Sequence, residues 1–178
     1  MSSTNEDQAI VEMINTLKNR TWSKRRQASD ALIKVGKPAV LPLMTAIRQN
    51  NFTGFHVPEA IRALGGIGDE QAVDLLIEEL ESQNVHAVQA AIESLGHIGS
   101  PQAIPPLINV FRHDWDDIET ITAWQKAATA LATIGELSLP ALLAALLDED
   151  DGALLLNESD RAVVQHCAAQ AAAYQRLH

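Results

Sequence analysis

Four times along the chain an apolar residue is followed by glycine at nearly constant spacing: Val35-Gly36, Ile67-Gly68, Ile98-Gly99 and Ile134-Gly135, in steps of 32, 31 and 36 residues. A period in this range marks stacked helical repeats, and it constrains the fold more than any other feature of the sequence. Ahead of each glycine the same stripe recurs: Ala28, Ala31, Leu32, Val35; Ala60, Ala63, Leu64, Ile67; Ala91, Ser94, Leu95, Ile98; Ala127, Ala130, Leu131, Ile134. Offsets of three, four and seven place each set on one side of a helix. A second stripe follows each glycine: Val40, Leu43, Met44, Ile47; Val73, Leu76, Ile77, Leu80; Ile104, Leu107, Ile108, Phe111; Leu139, Leu142, Leu143, Leu146. Each repeat therefore reads as a hairpin of helix A and helix B, and neither helix buries its apolar face until the hairpins stack.

In this reading the glycines are punctuation. A residue just past a helix end commonly turns left-handed, a conformation that costs a residue with a Cβ about 1 kcal/mol. The prolines at 38, 42, 58, 101, 105, 106 and 140 fall at or near predicted helix starts, where a missing N–H matters least. A phosphate-cradling loop at Gly66-Ile67-Gly68 fails, because its third glycine would fall on Gln71 and no strand precedes it. Aromatic residues make up only 4% of the chain, which favours close-packed helices over a sheet. The expectation is an all-α chain forming one domain over residues 1–178, with about four helical hairpins and terminal capping helices. Their expected ranges are a cap at 6–19, repeats at about 22–50, 56–82, 86–113 and 121–148, and a second cap at 160–176.

The phrase Arg25-x-x-Ala28-x-x-Ala31-Leu32-x-x-Val35-Gly36 resembles the HEAT-like repeat of phycobilin lyase subunits and their relatives. Further copies stand at Ala63-Leu64-Gly65-Gly66-Ile67-Gly68, Ser94-Leu95-Gly96-His97-Ile98-Gly99 and Ala130-Leu131-Ala132-Thr133-Ile134-Gly135, so the likeness covers about residues 22–147. It implies a right-handed α-α superhelix, a HEAT-like solenoid, with the B helices along a concave face. Activity does not follow, since repeats of this kind serve scaffolds, adaptors, bilin lyase subunits and a few enzymes. The arginine of the phrase stands only in the first repeat; Val57, Val88 and Trp124 take its place in the others.

Positions one past each core residue of the B helices should be exposed on that face: Leu41, Thr45, Arg48; Asp74, Glu78, Glu81; Pro105, Asn109, Arg112; Pro140, Ala144, Leu147. The candidate partner-binding residues there are Arg48, Asp74, Glu78, Asn109 and Arg112. Arg48 and Arg112 could equally pair with Glu78 or Asp74 as surface ion pairs worth under about 1 kcal/mol each. Long connections near 49–55, 113–120 and 148–159 each lead from a B helix to the next A helix and should project from one edge. Trp22, Phe52, Phe55 and Trp115 on that edge read either as anchors for a partner or as plugs over their own repeats.

Charge is divided unevenly: residues 1–68 carry nine Lys/Arg against five Asp/Glu, and residues 69–178 carry four against eighteen. Lys18, Arg20, Lys24, Arg25, Arg26, Lys34 and Lys37 form a basic end. The acidic remainder would repel phosphate, which argues against nucleic acid as the partner. An acidic protein patch suits the basic end better, for example the run Asp148-Glu149-Asp150-Asp151 of another copy, giving a salt-sensitive self-association with Arg25 and Arg26 among its residues.

No catalytic constellation stands out, and no cofactor is expected. His56, His86 and His113, with Asp114 and Asp116, lie near one edge, but helices stack about 10 Å apart, too far for ligands one repeat apart to share an ion. The resemblance extends to HEAT-like di-iron hydroxylases, whose ligands come from His-Glu pairs, and no His is followed by Glu here. No metal is therefore expected. His97 reads as a local helix-end partner. The single Cys167 excludes an internal disulfide and suits a reducing compartment. The opening MSSTNEDQAIVEMINTL has neither a basic start nor an apolar run, so neither a secretion signal nor a membrane span is expected. These readings lead to a cytoplasmic, non-catalytic scaffold or adaptor that binds another protein through the B-helix face and the loop edge. The alternative that the resemblance implies is a phycobilin lyase subunit or bilin-handling chaperone, in which Arg48 or Arg112 would meet propionates and Asp74 pyrrole nitrogens.

Overall fold

The computed structural model describes residues 3–49, 52, 56–110, 118–135 and 138, with side chains from residue 5 and, in the last helix, from residue 122. Among these residues there is no strand, and the helices follow the A-then-B order that the two stripes predict. Helix α1 spans Ser3–Thr16 and leads into the first repeat. The A helices are α2 (Trp22–Val35), α4 (His56–Ile67), α6 (Val85–Ile98) and α8 (Ile118–Ile134). The B helices are α3 (Val40–Arg48), α5 (Val73–Glu78) and α7 (Ile104–Asn109). The fourth B stripe and the second cap at 160–176 lie outside the described residues.

Some helix boundaries differ from the expected ones, among them two with consequences for the chain path. The capping helix ends at Thr16 rather than 19, because the chain tightens there: Lys18 N–H donates to Asn15 and Asn19 N–H to Thr16. Asn19 Oδ1 then accepts from Thr21 N–H at 2.9 Å, a side-chain turn that ends the run. Helix α8 begins at Ile118 rather than at 121.

Both stripes face the core. Ala28, Leu32, Ala60, Ala63, Leu64, Ala91, Ser94, Leu95, Ala127, Ala130 and Leu131 are buried on the A side, and Val40, Leu43, Val73, Leu76, Ile104 and Leu107 on the B side. Each fully buried Leu or Ile contributes about 1.5–3 kcal/mol of transfer free energy. The last residue of each A stripe, Val35, Ile67, Ile98 or Ile134, is partly buried against the same core.

All four punctuating glycines have positive φ, between 73° and 86°. Gly99 is left-handed, with ψ 17°, and its N–H closes the helix on Leu95 C=O at 3.0 Å. Gly36 pairs φ 73° with ψ −140°, a region open essentially to glycine alone. Beyond Gly36, Gly68 and Gly99 the chain makes one tight 3-10 turn before the B helix: Lys37–Ala39, Glu70–Ala72 and Pro101–Ala103. Pro38 and Pro101 sit in two of these turns, and Pro42, Pro105 and Pro106 in the first turn of α3 or α7, as their missing N–H permits.

Other glycines serve packing. A Cβ built on Gly65 would lie 2.3 Å from Ser94 Oγ and 2.7 Å from Ser94 Cα, and one on Gly96 would lie 2.7 Å from Ala130 Cβ and 2.8 Å from its Cα. The A helices pack in sequence, α2 on α4, α4 on α6 and α6 on α8, and these small residues set their approach. Ser94, buried at this contact, donates to Ile61 C=O at 3.1 Å and so ties α6 to α4.

Candidate functional site

The B-helix face carries its expected side chains outward: Leu41, Thr45, Arg48, Asp74, Glu78, Glu81, Pro105 and Asn109 are all exposed. Leu41 is 63% exposed, an unusual state for a leucine flanked by core residues. Bonds cross the face from repeat to repeat. Arg48 Nη2 meets Glu78 Oε1 at 3.3 Å, the ion pair that the spacing allows, with both side chains more than half exposed. Asp74 accepts instead from Gln102 Nε2 at 2.8 Å, in the next B turn. Arg112 lies outside the described residues.

Two carboxyls on this side are perturbed in opposite directions. Asp69 opens the second 3-10 turn, accepts from Gln71 N–H at 2.9 Å and meets Lys37 Nζ at 3.3 Å. The backbone bond from Gln71 is the main cause that lowers its pKa from the ordinary value of 3.8, and Lys37 adds to it. Glu79, half-buried where α5 tightens into its last turn, is raised from 4.5 by burial first and by the neighbouring Glu78 charge second.

The basic end divides into structural and exposed members. Arg25 donates from Nη1 to the carbonyls of Asn19 at 3.0 Å and Arg20 at 3.1 Å, so its guanidinium ties α2 to the chain leaving α1. Its Nε is buried with no hydrogen-bond partner. Arg26 is exposed and pairs with Asp30 one turn on, at 3.4 Å. Trp22, the first residue of α2, is 61% exposed. Phe52 is only 5% exposed and packs in the core under Lys18, whose Nζ lies 5.8 Å from the ring centroid. That corrects its reading as a partner anchor: the ring is the plug of its own repeat. Phe55 and Trp115 lie outside the described residues.

A second surface, which the sequence reading missed, runs along the A helices. Glu93 on α6 pairs with Lys126 of α8 and, at 3.9 Å, with Arg62 of α4, so one carboxylate joins three repeats. Open clefts of 190 and 340 Å³ flank it, the first against Gly66 and the second against Gly96, and both reach His97. His97 belongs to the last turn of α6 and is exposed, not folded into the turn beyond it. The only sequence signal was glycine at 66 and 96, which adds no side chain of its own beside the clefts.

Among the described residues no group of three or more His, Cys, Asp or Glu converges as a metal site would. His113, Asp114, Asp116 and Cys167 lie outside them. Among the described residues no helix is long and apolar enough to cross a membrane.

The family model for HEAT repeats matches residues 59–125, which run from within α4 through α5, α6 and α7 into the start of α8. A search of curated protein sequences finds no match. Among solved structures, the complex of CpcE and CpcF of phycocyanin lyase from Nostoc sp. PCC7120 contains a chain with TM-score 0.61 and 24% identity, aligned over 89% of this chain and 62% of that one. This chain thus spans under two thirds of the length of its structural relative, and a likeness at that identity concerns the fold. Repeating A and B stripes, four positive-φ glycines, the HEAT-repeat match over residues 59–125 and this likeness of fold together show a HEAT-like α-α solenoid.

Proposed function

We propose that the chain is a non-catalytic scaffold or adaptor that takes a partner protein on its B-helix face and along the edge formed by the inter-repeat loops. The observation that carries this reading is the row of exposed, mixed side chains on successive B helices, Leu41, Arg48, Asp74, Glu78 and Asn109. A repeated framework with a variable exposed row is how solenoids present extended surfaces to proteins. Trp22, Phe55 and Trp115 belong to the proposed loop edge, Arg112 to the B-helix face, and Arg26 to the basic end. The lone Cys167 supports a reducing compartment, the cytoplasm.

A second reading has its own support: the fold likeness to a phycocyanin lyase complex favours a bilin lyase subunit or bilin-handling chaperone. On that reading Arg48 would meet a propionate and Asp74 the pyrrole nitrogens, on the same B face. Two measurements separate them. Affinity capture from a source lysate with the wild-type chain and with Arg48→Glu plus Asp74→Lys should retain a protein on the first bait and lose it on the second. Equal retention, or none at any salt, rejects the B-face scaffold. Mixing with free bilin, with and without candidate partner subunits, should leave the absorption spectrum unchanged for a scaffold, and a shifted spectrum installs the second reading.

A further inference from the structure

The basic end does not spend all its charge within the fold. Arg25 is held by backbone carbonyls, Arg26 by Asp30 and Lys37 by Asp69. Lys18, Arg20, Lys24 and Lys34 remain exposed, with no acidic partner among the described residues. Trp22 stands among them in the sequence at 61% exposure, and Val11 of α1 is 52% exposed. Between α1 and α2 lies an open cleft of 420 Å³ with Ala9, Met13 and Ala28 in its lining and Lys24 and Glu12 as its charged members. Exposed lysines alone are a solvated face. Exposed basic side chains, a bare tryptophan and a cleft lined by both apolar and polar side chains, all on α1, α2 and the turn between them, are the composition of an interface, where an aromatic anchor is buried and a charged rim orients the partner.

The chain's own sequence contains the complement. Residues 69–178 carry eighteen Asp/Glu against four Lys/Arg, and the run Asp148-Glu149-Asp150-Asp151 is followed at once by Gly152-Ala153-Leu154-Leu155-Leu156. An acidic run joined to an apolar one inverts the character of the basic end. We propose that the surface formed by α1 and the start of α2 docks the acidic region around residues 148–156 of a second copy, in a head-to-tail contact. The two surfaces differ, so the contact is heterologous and leaves one of each unsatisfied in a pair. Association then grows beyond a dimer as concentration rises, unless a ring closes. This inference uses neither the B face nor the bilin reading, so it stands or falls apart from them.

The test is the weight-average mass of the full chain by light scattering over a range of concentrations, at about 0.05 M and about 0.5 M salt. Mass should climb with concentration at low salt and return toward the 19.3 kDa protomer at high salt. Reversing the basic side with Arg20→Glu plus Lys24→Glu, or the acidic side with Asp148→Lys plus Asp150→Lys, should weaken association at least about tenfold. Arg25 is left in place because it holds α1. The decisive arm mixes the two variants. Each alone has one surface spoiled, but the mixture retains one intact pair, so it should associate where neither variant associates by itself. Far-UV circular dichroism checks that both variants remain helical, and Trp22→Ala supplies a neutral variant expected to weaken association at both salts. A wild-type chain that stays at protomer mass throughout, or a mixture that stays there, overturns the proposal. So does binding of this surface to anionic vesicles or an oligonucleotide without self-association.

Discussion

The A and B layers solve the same stacking problem in different ways. The described A helices run 12 to 17 residues without a break, whereas the B helices are 6 to 9 residues long and are approached through 3-10 turns. In the A layer successive helices meet through Gly65 on Ser94 and Gly96 on Ala130, where no side chain separates the backbones. In the B layer the cross-repeat links named above are made by exposed polar tips: Arg48 to Glu78 and Asp74 to Gln102. Close contact between rigid small residues tolerates almost no change in shape, while solvated polar pairs contribute little and can be exchanged. The stack's geometry is therefore specified in the A layer, and the B layer is where a sequence can vary to suit a partner.

The sharpest way to break this contrast is Gly96→Ala. Helix propensity alone favours alanine by about 1 kcal/mol. The new Cβ, however, would lie 2.7 Å from Ala130 Cβ and 2.8 Å from Ala130 Cα, and neither atom can rotate away. Overpacking of that kind costs about 1–3 kcal/mol, so we expect a net loss of up to about 2 kcal/mol in urea unfolding. Two controls bracket it. Gly66→Ala meets side-chain atoms of Ile33 alone, Cδ1 at 2.5 Å and Cγ1 at 2.8 Å, which a change of rotamer can move aside, and should be close to neutral. Thr45→Ala on the B face should stay within about 0.5 kcal/mol. A stabilised Gly96→Ala would mean that the A helices are loosely packed and that the contrast is false.

What was legible in the sequence follows the same division. The stripes and positive-φ glycines could be read because they depend on spacing within one helix. The Arg48–Glu78 pair was legible too, since equivalent positions of adjacent repeats must face one another. The contacts of Gly65 and Gly96 were not, because they depend on the axial offset of one A helix against the next. Arg25 is instructive: its place in the repeat phrase is taken by Val57, Val88 and Trp124, which reads as a loss of pattern. In three dimensions Trp124 Nε1 donates to Val110 C=O at 3.2 Å, as Arg25 donates to Asn19 and Arg20 C=O. Both bind an A helix to the chain leaving the helix before it, and Val88 fills the same position within the core. Different chemistries occupy one geometric position, which residue identity cannot reveal. The choice between plug and anchor at Phe52, and the three-repeat junction at Glu93, were not legible for a related reason: loop path and rotamer decide them.

A smaller effect tests whether B-side turns carry individual strain without affecting the stack. Burial raises the Glu79 pKa above 4.5, so the native state favours its protonated form. The stabilisation this gives is complete below about pH 4.5 and is lost as pH rises through the folded-state value. Glu79→Gln should therefore exceed wild type in stability at neutral pH, by under about 1 kcal/mol after solvent screening, with the gap closing on acidification. Asp69 has the opposite sign. Its pKa is lowered, so its contribution is present above about 3.8 and disappears as pH falls through the depressed value. Asp69→Asn should lose stability at neutral pH and converge with wild type in acid. Urea unfolding repeated across that pH range checks both signs, and parallel curves for either pair would reject the assigned cause.

The smallest expected effect carries the functional half of the argument. The Arg48 and Glu78 side chains are 53% and 62% exposed, and each holds the other at 3.3 Å across a repeat boundary. A double-mutant cycle with Arg48→Ala and Glu78→Ala should return a coupling under about 0.5 kcal/mol, shrinking further as salt is added. A coupling above about 1 kcal/mol would make this pair part of what fixes the spacing of the repeats, and the B face would lose its independence from the fold. A small value has a positive consequence. If neither residue is needed to hold the stack, both stay available to a partner that offers better geometry than they offer each other, and breaking one exposed pair sets little against that exchange.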